Sequence, residues 1–379
     1  MNSDLPAFDL RSTLKKLIWL LPGPVFYVLF RLSFLWPDLT EGVFSRTIFP
    51  VITQALSTIT GVLPFSLAEI LLYLLVLFIG VFLIIMVIHA VRAKKKWWQA
   101  VINHIIVLLG AFSMLYALFV GLWGFNYARR PLCDTLGLDA SPATVNELFN
   151  TCTALADQAN ALRAVVPEDE NGIFSPNLTR RDIMNNIPVY YNNAARQSGN
   201  DFLGGSYGRV KPVLNSQGMS WSHLAGIYIP FTAEANVNAD APLLLFASSA
   251  AHEAAHQRGF AREDEANFLS YFVLSYADDA SVRYSGTMLA LMTASNALYS
   301  ADSDMYFELR NTFSEGIIRD LRANSAFWAQ YESPVSEAVT QVNNTYLNAN
   351  MQADGVKSYG RMTDLLIALW RSGQLTSAD

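Results

Sequence analysis

Charge is scarce in this chain. Only 15% of its 379 residues are Asp, Glu, Lys or Arg, and its mean hydropathy is +0.24, high for a wholly soluble protein. The formal net charge of −6 is spread without a long acidic or basic tract, which argues against nucleic acid as a partner. Cysteine is limited to Cys133 and Cys152. An oxidising compartment would permit a bridge between them, and two reduced thiols fit the sequence equally well. Internal repeats and low-complexity segments are absent, and a cleaved signal peptide is not expected, since the first apolar stretch has no small-residue cleavage site and runs into "LWPDL".

Long apolar runs take the place of charge. Residues 70–90, "ILLYLLVLFIGVFLIIMVIHA", and residues 100–125, "AVINHIIVLLGAFSMLYALFVGLWGF", contain no formally charged side chain. Each is long enough to cross a bilayer, which takes about 20 residues at 1.5 Å per residue, and a buried soluble helix of that length would show a polar stripe. The run 17–36 is interrupted by Pro22, Pro24 and Arg31, but its length and the flanking Lys15 and Lys16 favour a span there too. Three transmembrane helices are therefore expected, near 17–36, 68–91 and 100–125, in a membrane domain of residues 1–125.

Basic residues orient these helices. Arg11, Lys15 and Lys16 precede the first, and "RAKKK" with Arg92 and Lys94 to Lys96 separates the second from the third, while the 37–67 connection holds only Arg46. Cytoplasmic placement of the first two groups satisfies the positive-inside rule and puts residues 126–379 on the extracytoplasmic side. Trp97 and Trp98 read as an interfacial anchor. The connection, punctuated by Pro50, Gly61 and Pro64, is expected to lie along the interface or to re-enter the bilayer.

After "NYARRPL" the composition turns globular, with helical spacing over 145–165 and 179–197. "LAGIYIPFTAEANVN" reads as one or two strands, and from Ala241 onward the pattern is helical to "TDLLIALWRSG". Glu234, Asn236 and Asn238 read as turn and strand-end residues. The expected fold class is mainly α: the three spans, then a mostly helical α+β domain with a small sheet.

The chemistry concentrates in "SSAAHEAAHQRGFAREDEANFLSYF", residues 248–272, which holds two of the five histidines. Asp240 is placed to cap a helix with Pro242 in its first turn, ended by Gly259 at the C′ position. His252 and His256 then lie one turn apart on one face, able to reach a single zinc ion about 2.0–2.1 Å from each. Glu253, on the edge of that face, is placed to take a proton from a water at the ion. A third ligand is needed if one position is to stay open. His89, His104 and His223 are poor candidates, two being in or beside spans and one in an upstream loop. A second helix starting near Arg262 can return Glu263 to the ion, with Asn267 four residues on to orient a histidine. Glu265 is the fallback ligand and Asp264 a distant third. A chance H-E-x-x-H match arises on the order of once in a hundred such chains. The opposing reading is a solvated helix face whose acids pair with Arg258 and Arg262.

"HEAAH" followed by "EDEAN" resembles the gluzincin metallopeptidases. The wider set "PFSLAEI", "NYARRPL", "GIYIPFTAEANVN", the motif itself and "SYGRMTDLLIALW" resembles the bacterial membrane-protein family called domain of unknown function 3810, over nearly the whole chain. The likeness implies a bacterial multi-span protein of the cytoplasmic membrane whose extracytoplasmic domain is zincin-like. It also implies a site of zinc-peptidase type. The interval from His256 to Glu263 is shorter than in many gluzincins. The metzincin pattern fits less well, because its third ligand would fall on Arg262.

The expectation is a membrane-anchored zinc hydrolase, a metallopeptidase acting on peptide or envelope-protein substrates, with the lipid bilayer as its other partner. His252, His256 and Glu263 would bind zinc, and Glu253 would be general base and then acid. "GIYIPFTAE" would supply an edge strand for an extended substrate, with Tyr228 facing an oxyanion. Two alternatives remain: a metal-binding membrane sensor or scaffold without turnover, and a zinc hydrolase of non-peptide bonds. Retention of Glu253 weighs against the first, since a structural site usually fills its fourth position with protein.

Overall fold

The apolar runs fold as helices because a chain with almost no polar side chains can satisfy its backbone only within itself. The computed structural model describes residues 15–350, 352 and 361–375. Arg11, used above to orient the first span, lies outside the described residues. Among the described residues, three helices are long and apolar enough to cross a membrane: Lys15–Ser33, Leu67–Arg92 and Lys94–Leu122. The first contains α1 (Pro22–Ser33), whose two prolines fall in its first turn, where no intrahelical N–H is needed. The second is α3 (Leu67–Arg92), capped by the Ser66 hydroxyl on the Glu69 amide. The third is built on α4 (Trp97–Leu122). Large side chains such as Val76 and Val91 point outward from α3, as lipid-facing positions do.

The connection between α1 and α3 is helical and packed on the rest of the protein. It forms a π-helical stretch, Thr40–Ile48, and then α2 (Phe49–Gly61). Its polar face is buried because it has partners there. Glu41 receives two hydrogen bonds from Arg129, at 2.8 and 2.9 Å, and a third from Arg46 at 2.8 Å. Thr60 donates to the Thr232 carbonyl at 3.1 Å. Its polar side is thus turned to the protein, while Val51, Ile59 and Val62 stay exposed on its other side.

The remaining chain is mainly helical around a three-stranded sheet of order β1-β3-β2. Strand β1 (Lys211–Pro212) runs parallel to β3 (Glu234–Val237), and β2 (Gly226–Ile229) runs antiparallel to it. β2 is thus an edge strand. Glu234 is more than a strand-end residue: it is buried, paired with Lys211, and accepts from the Leu67 and Ala68 amides at 3.0 and 2.7 Å. A carboxylate thereby caps the N-terminus of α3. Glu69 in the same turn accepts from the Leu214 and Asn215 amides at 2.6 and 2.9 Å.

Three helices form the centre of the core: α5 (Val145–Arg163), α7 (Leu243–Gln257) and α9 (Ala280–Ala301), with α6 (Arg180–Ser198) and α8 (Glu263–Leu274) against them. Ala250, Ala251, Ala254 and Ala255 on α7 are fully buried beside Phe268, Leu269 and Val273 of α8. Small residues let the backbones approach, which brings the α7 and α8 side chains within reach of each other. The chain continues through α10 (Ser303–Arg310), α11 (Glu315–Ala329), α12 (Pro334–Ala349) and α13 (Met362–Arg371). Cys133 and Cys152 are free thiols, so the option of a bridge between them does not hold.

Candidate metal centre

The histidine helix begins at Leu243 with Pro242 before it and no side-chain cap. Asp240, expected to cap it, instead accepts from the Ser220 and Tyr331 hydroxyls. The end of the helix follows the sequence. Gly259 has φ +87°, its amide reaches the His256 carbonyl at 2.8 Å, and the Phe260 amide reaches the Ala255 carbonyl at 3.2 Å. This is a Schellman turn, for which a left-handed residue at C′ is required. It does two things for the site: it aims the Phe260 carbonyl at His256 Nδ1, 2.7 Å away, and it sends the chain back into α8.

His252, His256 and Glu263 meet there. Their ligand atoms lie within 4.8 Å of one another and all three residues are largely buried. Glu263 Oε2 is 3.2 Å from His252 Nε2 and 3.6 Å from His256 Nε2. A tetrahedral ion held at about 2.0–2.2 Å sets neighbouring donors about 3.3–3.5 Å apart, so two imidazoles and one carboxylate with this spacing fit zinc. The Phe260 carbonyl fixes the tautomer of His256 that exposes Nε2 to the ion, a role the sequence had pointed to Asn267 for. Asn267 lines the adjacent cavity instead.

The other acids of the "EDE" run are occupied. Glu265 accepts from the Leu132 amide at 2.8 Å and from Arg262 at 2.6 Å. Asp264 accepts from the Glu265 amide. Arg258 is buried over the rings of Tyr191 and Tyr207, at 3.8 and 4.4 Å, and donates to the Leu203 and Ala254 carbonyls. The face is therefore buried rather than solvated, and of the two arginines expected to pair with its acids Arg262 does so, with Glu265, while Arg258 turns to carbonyls and rings.

Electrostatics separate the two glutamates of the site. Burial works against the Glu263 charge, but His256 and His252 outweigh it and hold the carboxyl well below the usual range. Burial pushes Glu253 up to about 7, with the histidines opposing and Glu263 adding to the rise. Burial opposes the His256 charge as well, yet Glu263 beside it raises the ring to about 9. The cluster draws positive charge to one point, as a divalent cation would supply once the rings release their protons. Glu253 Oε2 is buried without a partner among the described residues.

A cavity of about 380 Å³ adjoins the cluster, lined by His252, Glu253, Asn267, Gly226 and, from α12, Val339 and Asn343. A larger one of about 460 Å³, between α5, α8 and α13, holds none of these residues. Gly226 of β2 lies directly over Glu253: a Cβ there would stand 2.4 Å from Oε1. Tyr228 is not in the cavity. Its ring packs on Trp123 with centroids 4.8 Å apart, and its hydroxyl is buried.

The family profile described as "Protein of unknown function (DUF3810)" matches residues 44–367. The chain belongs to this family. No curated protein and no solved structure matches it. The apolar helices make it a membrane protein.

Some site residues escaped the sequence reading. His223 lines the cavity with His252 and Glu253, its backbone in the left-handed region at φ +53° and its ring on Trp328. The available signal was its place three residues before Gly226. Tyr127 and Tyr346 have hydroxyls 2.9 Å apart; burial, then Tyr346 and last the Glu263 charge raise Tyr127, and burial, helped by Glu263 and opposed by the Tyr127 bond, raises Tyr346 to about 12. Tyr346 is too distant in sequence from the motif to have been linked to it. His89 and His104, set aside as ligands, face each other on α3 and α4 at 3.3 Å.

Proposed function

We propose that this protein is a zinc-dependent hydrolase of gluzincin type, anchored by three spans in the bacterial cytoplasmic membrane, with residues 126–379 outside the cytoplasm and acting on peptide or protein substrates. The observation that carries the reading is the position of Glu253, beside the two histidines and Glu263 and directly beneath Gly226 of an edge strand. His252, His256 and Glu263 would hold the ion. Zinc bound there supplies Lewis acidity, polarising a carbonyl and lowering the pKa of a water.

The residues of the chain do the rest. The Asn238 amide bonds to the Ala225 carbonyl at 2.9 Å, and the β2–β3 register pairs Ile227 with Asn236. By antiparallel alternation, the N–H and C=O of Gly226 and Tyr228 point to the open edge. An extended peptide pairing there has its backbone held over Glu253. Glu253 takes a proton from the attacking water as the water oxygen bonds to the carbonyl carbon. It then delivers that proton to the amide nitrogen as the C–N bond breaks. A carboxyl near pH 7 is suited to both transfers. His223 in the cavity wall is a hydrogen-bond donor for substrate.

The test is zinc content and peptide hydrolysis of the purified full-length chain. One equivalent of zinc, with hydrolysis lost in Glu253→Gln while zinc is kept, supports the reading. Loss of zinc in that variant, or hydrolysis at the original rate, overturns it.

A further inference from the structure

The hydrolase reading leaves the substrate open, and the way the site is mounted narrows it. The floor of the metal centre is made from the ends of the apolar helices. Trp123, the residue after α4, meets the His256 ring edge-on with centroids 5.9 Å apart. Phe30 of α1 and Val120 of α4 share one buried cluster with Phe49, Trp123, Tyr228 and Ala261. Tyr346, from the helix that roofs the cavity, rests on Phe119 of α4 at 6.2 Å. The start of α3 is fastened to the sheet through Glu234 and Glu69. The metal-ligand cluster therefore sits one ring, that of Trp123, from the end of α4, and the cavity lies beside that cluster.

Length turns this into a height. At 1.5 Å per residue α4 is about 39 Å long, against about 30 Å of hydrocarbon, so its end rises at most about 9 Å above the apolar core. With one aromatic ring between that end and His256, a bond cut at the centre lies within about 15 Å of the hydrocarbon, a distance that four or five extended residues cover. The cavity lining adds a second restriction. Besides His223, His252 and Glu253 it consists of Ser, Asn, Thr, Leu, Val, Ala and Gly. A charged substrate side chain entering it would lose water with only Glu253, the proton carrier of the hydrolase reading, or a histidine to pair with.

We propose that the substrate is the uncharged, extended segment adjoining the membrane anchor of another protein, cut within a few residues of the bilayer. This rests on the hydrolase reading. In it, β2 pairs with a chain rising from the membrane surface, and the α12 side of the cavity, with Val339, Thr340 and Asn343, closes over the residues flanking the cut.

The experiment uses the full-length zinc-loaded protein in lipid nanodiscs with a probe substrate in the same disc. The probe is a single transmembrane helix followed by six tandem copies of one ten-residue unit, randomised over Ala, Ser, Thr, Asn, Val and Leu. A second library places Lys and Glu in each unit, and a third lacks the transmembrane helix. Cleavage should concentrate in the unit next to the membrane, at least tenfold over the outermost unit. It should fall at least tenfold in the charged library and in the soluble one. Even cleavage along the six units, or equal rates for the soluble tail, would overturn the proposal and leave the hydrolase reading standing. A photo-crosslinker carried in each unit, with zinc-loaded Glu253→Gln, supplies a readout without turnover. Capture should again be confined to the innermost unit, and capture spread along the tail overturns the proposal. No cleavage of any library, with capture still confined to the innermost unit, would count against hydrolysis and for the membrane-proximal binding site.

Discussion

Glu263 and Glu265 leave the same turn of α8, both buried, and are used in opposite ways. Glu265 Oε1 accepts from the Leu132 amide and Arg262, whereas the Glu263 carboxylate, among the described residues, faces two imidazole nitrogens. The same contrast divides the molecule more widely. Along the seam between the apolar helices and the rest of the chain, Glu41 is matched by Arg129, and Glu234 by Lys211 and two amides. At the metal centre, Glu253 keeps an oxygen buried without a protein partner. A buried charge costs several kcal/mol unless paired. In the seam the fold supplies the partner. Orphaned polar atoms occur elsewhere too, Glu265 Oε2 and Arg258 Nη2 among them, so what marks the candidate centre is that His252, His256 and Glu263 converge beside a cavity.

The sharpest way to break this comparison is at the histidines. His252→Ala or His256→Ala should cut zinc affinity more than a hundredfold, read as metal per chain after dialysis, while the fold melts near its original temperature. Unchanged zinc in either variant would mean that the cluster is only a packed polar network. Glu253→Gln comes next, with hydrolysis falling about 10²–10⁴-fold and zinc retained.

The paired glutamates give the internal control. Glu263→Gln should weaken zinc tens-fold or more with a small effect on stability, and Glu265→Gln should do the reverse, leaving zinc affinity within a fewfold and lowering stability. If Glu265→Gln loses the metal and Glu263→Gln does not, the two roles are exchanged. In the seam, Arg129→Met strands Glu41 and frees the Gly259 carbonyl that Arg129 also holds at 2.9 Å. It should cost about 3–5 kcal/mol in denaturant unfolding, with zinc stoichiometry unchanged in the folded fraction.

The smallest effect is the pH dependence of the seam. Burial raises the Glu41 pKa, but Arg129 and Arg46 outweigh it, so the carboxyl titrates below its ordinary 4.5. Its folded pKa is the lower one, so its stabilisation is fully present above about 4.5 and is lost as pH falls through the folded value. Glu41→Gln should flatten the fall of stability below pH 5. An equally steep fall in that variant would show that other carboxylates dominate.

Much of this was legible in local spacing. Uncharged runs announced the apolar helices, and a four-residue interval placed His252 above His256 on one face, since both signals depend only on helical geometry. The Gly259 turn and the start of α8 were equally local, because a left-handed C′ residue closes a helix wherever it occurs. Asp240 misled for the opposite reason: a capping side chain is also a general acceptor, and Ser220 and Tyr331 were nearer. In the 37–67 connection the partners of the buried polar side chains, Arg129 for Glu41 and the Thr232 carbonyl for Thr60, lie far off in sequence and left no local signal.

The sequence by itself determined which residues form the candidate metal centre, because two histidines and a glutamate on one helix need no long-range contact to share a face. Only the tertiary structure decided what surrounds them. Packing distant parts of the chain together brought Gly226 over Glu253, His223 and α12 to the cavity wall, and Trp123 to the ring of His256. Side chains far apart in sequence become neighbours only when apolar surfaces are buried against each other, and that burial depends on the whole chain and on no local period.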